Sequence, residues 1–320
     1  MREILQPGFR VSMSIGGEAI IGKHIASDGR SDIYTIFCQG QEKILKWYGP
    51  DRPHGDPKRS SSDIVMEKIL RLQPSPEILS PIDMVAQADG MFGYVLEPIP
   101  PEYKRFSDYL LRKERMVSFV ATVDAALHIV ATFHALHSSG FCLQDATIEN
   151  IWIESRTGRA LLFDDDAITI CGADMQIMSH PRYTAPEVVF ERKPPDARSD
   201  RYTIAVFLFI LFCGNHPLEG KRSLVPVLTP EIQEKLYGGK ALFIMDPNDT
   251  SNAPDPVIHR KALAVWSRLP DYMQEIFLKA FSKNAIANPG DRPTEREWLQ
   301  ALARLRNDIV PCVCGNEITI

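Results

Sequence analysis

Through the first hundred residues the apolar positions fall in short runs. Ala19-Ile20-Ile21, Ile33 to Cys38, Lys43 to Tyr48 and Met91 to Leu96 are rich in β-branched and aromatic residues, with Gly, Asp and Pro between them, which predicts the strands of an antiparallel sheet. One stretch breaks this pattern. Between Ser61 and Leu72, Ile64, Val65, Ile69 and Leu72 lie near helical spacing and Pro74 ends the run, predicting a single helix on the sheet. Past Pro98, Pro100 and Pro101 the periodicity becomes helical, over Val117 to Leu136, Ser199 to Cys213, Leu269 to Phe281 and Thr294 to Leu305. Between the first two of these helices, Asn150 to Ile153 and Arg159 to Phe163 predict a hairpin turned at Arg156-Thr157-Gly158. Residues Pro217 to Asp255 are dotted with Pro, Gly and Asn and predict loop. The fold class is α+β in two lobes: a small antiparallel sheet lobe with one helix over residues 10–97 and a larger, mainly helical lobe over 98–308. A cysteine-containing tail covers 309–320.

Composition narrows the function classes. With 320 residues, 44% hydrophobic and 24% charged, the chain can bury a sizeable core. A formal net charge of −5 offers no basic field for nucleic acid or anionic lipid, so neither nucleic acid nor membrane is expected as a partner. The run Ile204 to Cys213 is about half of what a membrane-spanning helix requires. The first eight residues hold no long apolar core of a secretory signal. Cys38, Cys142, Cys171 and Cys213 are scattered through hydrophobic or loop sequence, which suits reduced thiols in a cytoplasmic protein and implies no thiol chemistry. Cys312 and Cys314 are two ligands short of a four-ligand zinc site.

The chemistry concentrates in Gln144-Asp145-Ala146-Thr147-Ile148-Glu149-Asn150 and the later run Asp164-Asp165-Asp166. Asp and Asn favour turns by bonding their own backbone, so Asp145 and Asn150 read equally as turn residues. Three consecutive carboxylates after an apolar strand repel one another, and a divalent cation would relieve that repulsion; an exposed acidic turn is the plainer alternative. Lys46 stands between Leu45 and Trp47 in an apolar strand. Its stem either snorkels to water or, if buried, needs an anion, for which Glu67 on the following helix is the best-placed candidate and Glu77 a weaker one.

Taken in order, these residues resemble the protein kinase family across nearly the whole chain. Lys46 in Ile44-Leu45-Lys46 is similar to the phosphate-anchoring lysine, Glu67 to its helix partner, and Leu96-Glu97-Pro98-Ile99 to the gatekeeper and adenine-binding hinge. Asp145 and Asn150 match the catalytic loop and Asp164 the magnesium-binding aspartate. Ala185-Pro186-Glu187 matches the close of the activation segment, Asp200 the start of the central helix, and Arg292 the arginine that pairs with that glutamate. The resemblance implies a bilobal kinase fold binding ATP and Mg²⁺. Ile25, Ile33, Lys46, Glu97, Ile99, Asn150 and Asp164 would be at the nucleotide, Asn150 and Asp164 on the metal, and Asp145, assisted by Lys46 and Glu67, in catalysis. It also implies a protein substrate with a serine or threonine hydroxyl, or a regulatory partner.

Several positions depart from the family. The nucleotide-covering loop Ile25 to Tyr34 keeps Gly29 where the family has three glycines. Gln144 replaces the arginine that receives activation-loop phosphate, implying control by other means, and Asp165-Asp166 replace Phe-Gly. Thr147 and His180 replace the lysine and threonine that normally contact the base, and are expected jointly to take over that contact. Two alternatives follow: a pseudokinase acting as a scaffold or allosteric module, and a small-molecule phosphotransferase, against which Ala185-Pro186-Glu187 and Arg292 argue.

Overall fold

A computed structural model describes the chain apart from residues 1–4, 16, 28–30, 51–52, 55, 73–76, 87–90, 164–166, 174–178, 313–316 and 320. The chain divides into two units, Met1–Pro101 and Glu102–Ile320.

In the first unit β1 (Arg10–Ser12), β2 (Glu18–Ser27), β3 (Ser31–Cys38) and β4 (Gln41–Pro50) follow one another. Short β5 (Pro53–His54) and β6 (Asp56–Ser60) lead into helix α1 (Ser61–Arg71), and β7 (Ile78–Leu79), β8 (Asp83–Ala86) and β9 (Met91–Leu96) follow. Six of these strands make one sheet in the order β1-β2-β3-β4-β9-β8, with antiparallel neighbours throughout. The β3–β4 reversal takes only Gln39 and Gly40, at φ 51° and 77°, the two positive-φ positions a tight hairpin turn needs. Side-chain alternation then puts Tyr34, Ile36, Leu45 and Trp47 on one face, where they are buried with Val11, Ala19, Ile21, Val85 and Val95. Gly93 on β9 lets that strand approach β4: a Cβ there would stand 2.6 Å from the Lys46 carbonyl.

The second unit begins with β10 (Tyr103–Arg105), α2 (Phe106–Leu110), α3 (Phe119–Ser138), β11 (Phe141–Leu143), β12 (Ile151–Glu154), β13 (Ala160–Phe163) and β14 (Ile168–Ile170). It continues through α4 (Pro186–Val189), α5 (Ala197–Cys213), α6 (Pro230–Tyr237), α7 (Arg260–Trp266), α8 (Asp271–Ala280), α9 (Lys283–Ala287) and α10 (Glu295–Asp308), and ends in β15 (Ile309–Pro311) and β16 (Glu317–Thr319). Helix α5 is buried nearly all round, as its continuous apolar sequence demands. Asp196 and Ser199 cap its start reciprocally, and Gly214, at φ 64°, ends it. By length and composition alone α3 could cross a membrane, but half of its apolar stretch is buried inside the unit, where it packs on α5, α10 and β13. Gly158 turns the β12–β13 hairpin at φ 73°, and a Cβ there would lie 2.1 Å from the carbonyl of Ala121 on α3.

The predicted elements are present with most ends shifted by one or two residues; α10 runs three residues further, to Asp308, and β2 extends to Ser27, well past the predicted 19–21. The stretch read as loop over 217–255 holds helix α6. Short β8, β11, β14, α7 and α9 carry too few residues to set up a visible period.

Candidate active site

Lys46 sits mid-sheet, with Ile33 of β3 and Tyr94 of β9 as its cross-strand partners. It is 3% exposed, so its stem does not snorkel to water. Its Nζ lies 5.5 Å from the centroid of the Tyr48 ring, within cation–π range, and Tyr48 stacks in turn on Phe92 at 5.1 Å. Glu67 is half-buried on α1 and pairs with Arg71 one turn on. Glu97, after β9, is exposed and receives Lys43 Nζ on both carboxylate oxygens at 2.5 and 2.6 Å. Ile25 and Ile33 lie on the β2–β3 hairpin, Ile25 exposed and Ile33 half-buried, and Ile99 is half-buried beyond β9. The tip of that hairpin, with Asp28, Gly29 and Arg30, lies outside the described residues.

In the second unit the segment from Gln144 to Asn150 joins β11 to β12. Thr147 is extended and caps the 3₁₀ turn Ile148–Asn150, its hydroxyl accepting from Glu149 N at 3.2 Å. Asn150 is buried, and its Oδ1 accepts from both the amide (3.1 Å) and the hydroxyl (3.0 Å) of Thr147. Thr147 therefore serves Asn150, contrary to the expectation that it contacts Asp145. Asp145 is half-buried and accepts from His180 N at 3.3 Å, a long hydrogen bond from the main chain and not from the imidazole. Partial loss of solvent holds the His180 ring below the usual histidine range in spite of Asp145, and its Nδ1 accepts from Arg182 N at 3.3 Å, as a neutral ring does.

Asp164, Asp165 and Asp166 lie outside the described residues. The chain on either side of them is fastened beside the loop. Ile151 pairs with Leu162 in the β12–β13 hairpin, and Gln144 N donates to Ala167 O at 2.8 Å. Carboxylate and amide oxygens are the hard donors that a divalent cation takes, so the residue types here fit one. Asn150 Oδ1 would have to exchange its Thr147 bonds for the ion.

The loop is anchored to the helical core through one oxygen. Asp200 Oδ2, fully buried at the start of α5, accepts from Leu143 N (3.0 Å) and meets His137 Nε2 (3.0 Å). His137 Nδ1 meets Glu295 Oε1 at 2.9 Å, and Glu295 also receives Arg201. Burial alone would lower the His137 pKa, but hydrogen bonds to two carboxylates outweigh it and hold it at about 9. The same bonds hold Glu295 down at about 2 against its burial. The sequence signals for His137 and Glu295, a histidine and a glutamate in the helical pattern, are too ordinary to single either out.

Glu187 and Arg292 meet as expected. The buried Arg292 guanidinium donates from both terminal nitrogens to the Glu187 carboxylate at 2.7 and 2.8 Å, and its Nε and Nη1 also donate to the carbonyls of Ala285 and Arg198. Upstream, Arg182 forms a two-pronged pair with Glu219, which also accepts from the Tyr237 hydroxyl at 2.7 Å. Beneath them buried His216 donates from Nε2 to Arg182 O and is held neutral by desolvation, its pKa down at about 4.

A helical unit that carries Asp145, Asn150 and the Glu187–Arg292 pair in this order, preceded by a sheet unit with a buried lysine, has the organisation of a protein kinase. The chain belongs to the protein kinase domain family, whose model matches residues 53–300. Among known proteins it is 25% identical to the protein kinase YegI of Escherichia coli (strain K12) over 202 residues, 59% of this chain and 29% of that one. It is 26% identical to the serine/threonine-protein kinase pkn3 of Myxococcus xanthus over 242 residues, 71% of this chain and 38% of that one. The chain thus spans about a third of these relatives' length. The fold matches the crystal structure of the Mycobacterium tuberculosis PknI kinase domain with TM-score 0.57 at 17% identity, covering 94% of this chain and 99% of that one. The twitchin kinase region from C. elegans matches with TM-score 0.62 at 16% identity, over 88% and 44%.

Proposed function

We propose that this chain transfers the γ-phosphate of ATP to a serine or threonine hydroxyl of a protein, with Mg²⁺. The observation that supports this best is the Asp145 loop. Its carboxylate is half-exposed, while the residues around it are fixed by Asp200, by Thr147 and by the pairing of β11 with β14. A base must be held in place yet remain open to its substrate. Asp145 orients the acceptor hydroxyl and takes its proton, and Lys46 holds phosphate oxygens. Its aromatic surroundings keep Lys46 out of water, which strengthens its attraction for an anion. Glu67 is the carboxylate that steadies Lys46. Asn150 and Asp164 would hold Mg²⁺, whose positive charge offsets that of the phosphates when bound. Ile25, Ile33 and Ile99 supply apolar surface for the base of the nucleotide. Gln144 is buried and uncharged where the family places an arginine, which supports control by something other than a phosphate on the activation segment.

A second reading, a kinase-fold binding module without turnover, is favoured by one observation: both acceptor positions of Asn150 Oδ1 are given to Thr147. Two measurements separate the readings. Stabilisation by ATP that depends on Mg²⁺ reports nucleotide binding. Incorporation of labelled phosphate into the chain or a generic protein substrate, lost in Asp145→Ala and in Asp164→Ala, reports catalysis. Equal background incorporation in wild type and both variants, with partner binding retained, would leave only the second.

A further inference from the structure

The two strands that frame the Asp145 loop also carry two cysteines. β11 and β14 are antiparallel with Cys142 opposite Thr169, and Cys171 N donates to Gly140 O at 3.0 Å, continuing the ladder past β14. Thr169 and Cys171 therefore share a face, and Cys171 is the diagonal cross-strand neighbour of Cys142. Cys142 is buried and Cys171 partly open to solvent. The neighbouring Cys171 side chain, followed by burial, pushes the Cys142 thiol up, and the neighbouring Cys142 pulls Cys171 below the usual thiol range. One sulfur is thus an accessible nucleophile and the other a shielded partner at its side.

We propose that Cys142 and Cys171 are a redox modification site that closes to a reversible disulfide when a peroxide reaches Cys171. The Cys171 thiolate attacks one peroxide oxygen. The O–O bond breaks, the sulfur is oxidised to a sulfenic acid, and hydroxide leaves. The Cys142 thiol gives its proton to that hydroxide, forming water, and its sulfur attacks the sulfenyl sulfur. The S–O bond breaks as the S–S bond forms, and the departing hydroxide leaves as a second water once it has taken a proton from solvent, replacing the one Cys171 had lost in becoming a thiolate. Two thiols and one peroxide become one disulfide and two waters. A diagonal pair sits wider than a disulfide prefers, so the strand end must move inward. Gly172, next to Cys171 at φ 78° with open space around it, is the residue able to give. The bond would cinch together the two strands that bracket residues 144–167, and a dithiol reductant would release it.

The experiment needs no kinase activity. Cys142 and Cys171 fall in different tryptic peptides, 116–156 and 160–182, so their linkage shows directly in a non-reducing digest. After treatment of the whole chain with hydrogen peroxide, the expected result is an intact mass lower by two hydrogens, the linked peptide pair, and full reversal by dithiothreitol. Cys142→Ser and Cys171→Ser should each abolish the linked pair while keeping the wild-type melting temperature under reducing conditions. The proposal is overturned if peroxide drives Cys171 to sulfinic acid without linkage, if neither cysteine changes, or if the mass loss persists in Cys171→Ser. Should one serine variant fail to fold, blocking Cys171 with iodoacetamide in the wild type must prevent linkage in its place.

Discussion

Asp145 lies on a loop whose neighbouring residues are fixed by Asp200 and by Thr147. Asp145→Asn keeps the side-chain volume and the acceptor for His180 N, so phosphoryl transfer should fall by at least two orders of magnitude with an unchanged melting temperature, as general-base removal does. Its main-chain contact also fixes the outcome at His180. His180→Ala leaves the amide in place, and phosphate incorporation should stay within a few-fold of wild type; a collapse comparable to Asp145→Asn would show that the imidazole itself acts. Thr147→Val removes the hydroxyl shared by Asn150 and Glu149 and should cost about 1 kcal/mol in denaturant unfolding, the usual worth of such a cap. At this scale the sequence identified Asp145, Asn150 and Lys46 as residue types in an order. It did not reveal who bonds whom, because Thr147 looks the same whether its hydroxyl turns to Asp145 or to Asn150. Only the extended backbone at Thr147, which starts the 3₁₀ turn, decides it.

Elements explain why some of this was legible. Helix α5 and strands β3, β4 and β9 announce themselves because long apolar runs or alternations leave few other ways to bury them. Strands β11 and β14 are three residues each and take their partner from tertiary context, so the meeting of Cys142 and Cys171 could not be read from spacing. The Glu187–Arg292 pair ties the start of α4 to the segment before α10, from positions more than a hundred residues apart. Removing one partner of such a buried pair strands the other charge, so Arg292→Met should destabilise the second unit by roughly 3–5 kcal/mol. Restoring neutrality with Glu187→Gln/Arg292→Met should recover part of that loss, measured as a double-mutant cycle by urea unfolding.

For the whole molecule, two histidines, the largely buried His137 and the buried His216, set opposite slopes of stability against pH. His137 faces Asp200 and Glu295, with Cys171 nearby, and binds its proton more tightly folded than unfolded. Its contribution is full below about 6.5 and is lost as pH rises through about 9. His216 faces Glu219, Arg182, Tyr237 and His180 and resists protonation, so its contribution is full above about 6.5 and is lost as pH falls toward 4. Each limb is worth on the order of 3 kcal/mol. Unfolding free energy should therefore peak near neutrality, and His137→Gln should flatten the alkaline limb while leaving the acid limb. A single oxygen, Asp200 Oδ2, holds both the His137 ring and the Leu143 amide that leads into the Asp145 loop. Solvent exchange of the Leu143 amide hydrogen thus becomes a clock for the proton on His137. As that proton leaves at alkaline pH, the clock should quicken and phosphoryl transfer fade while the rest of the helical core is still folded.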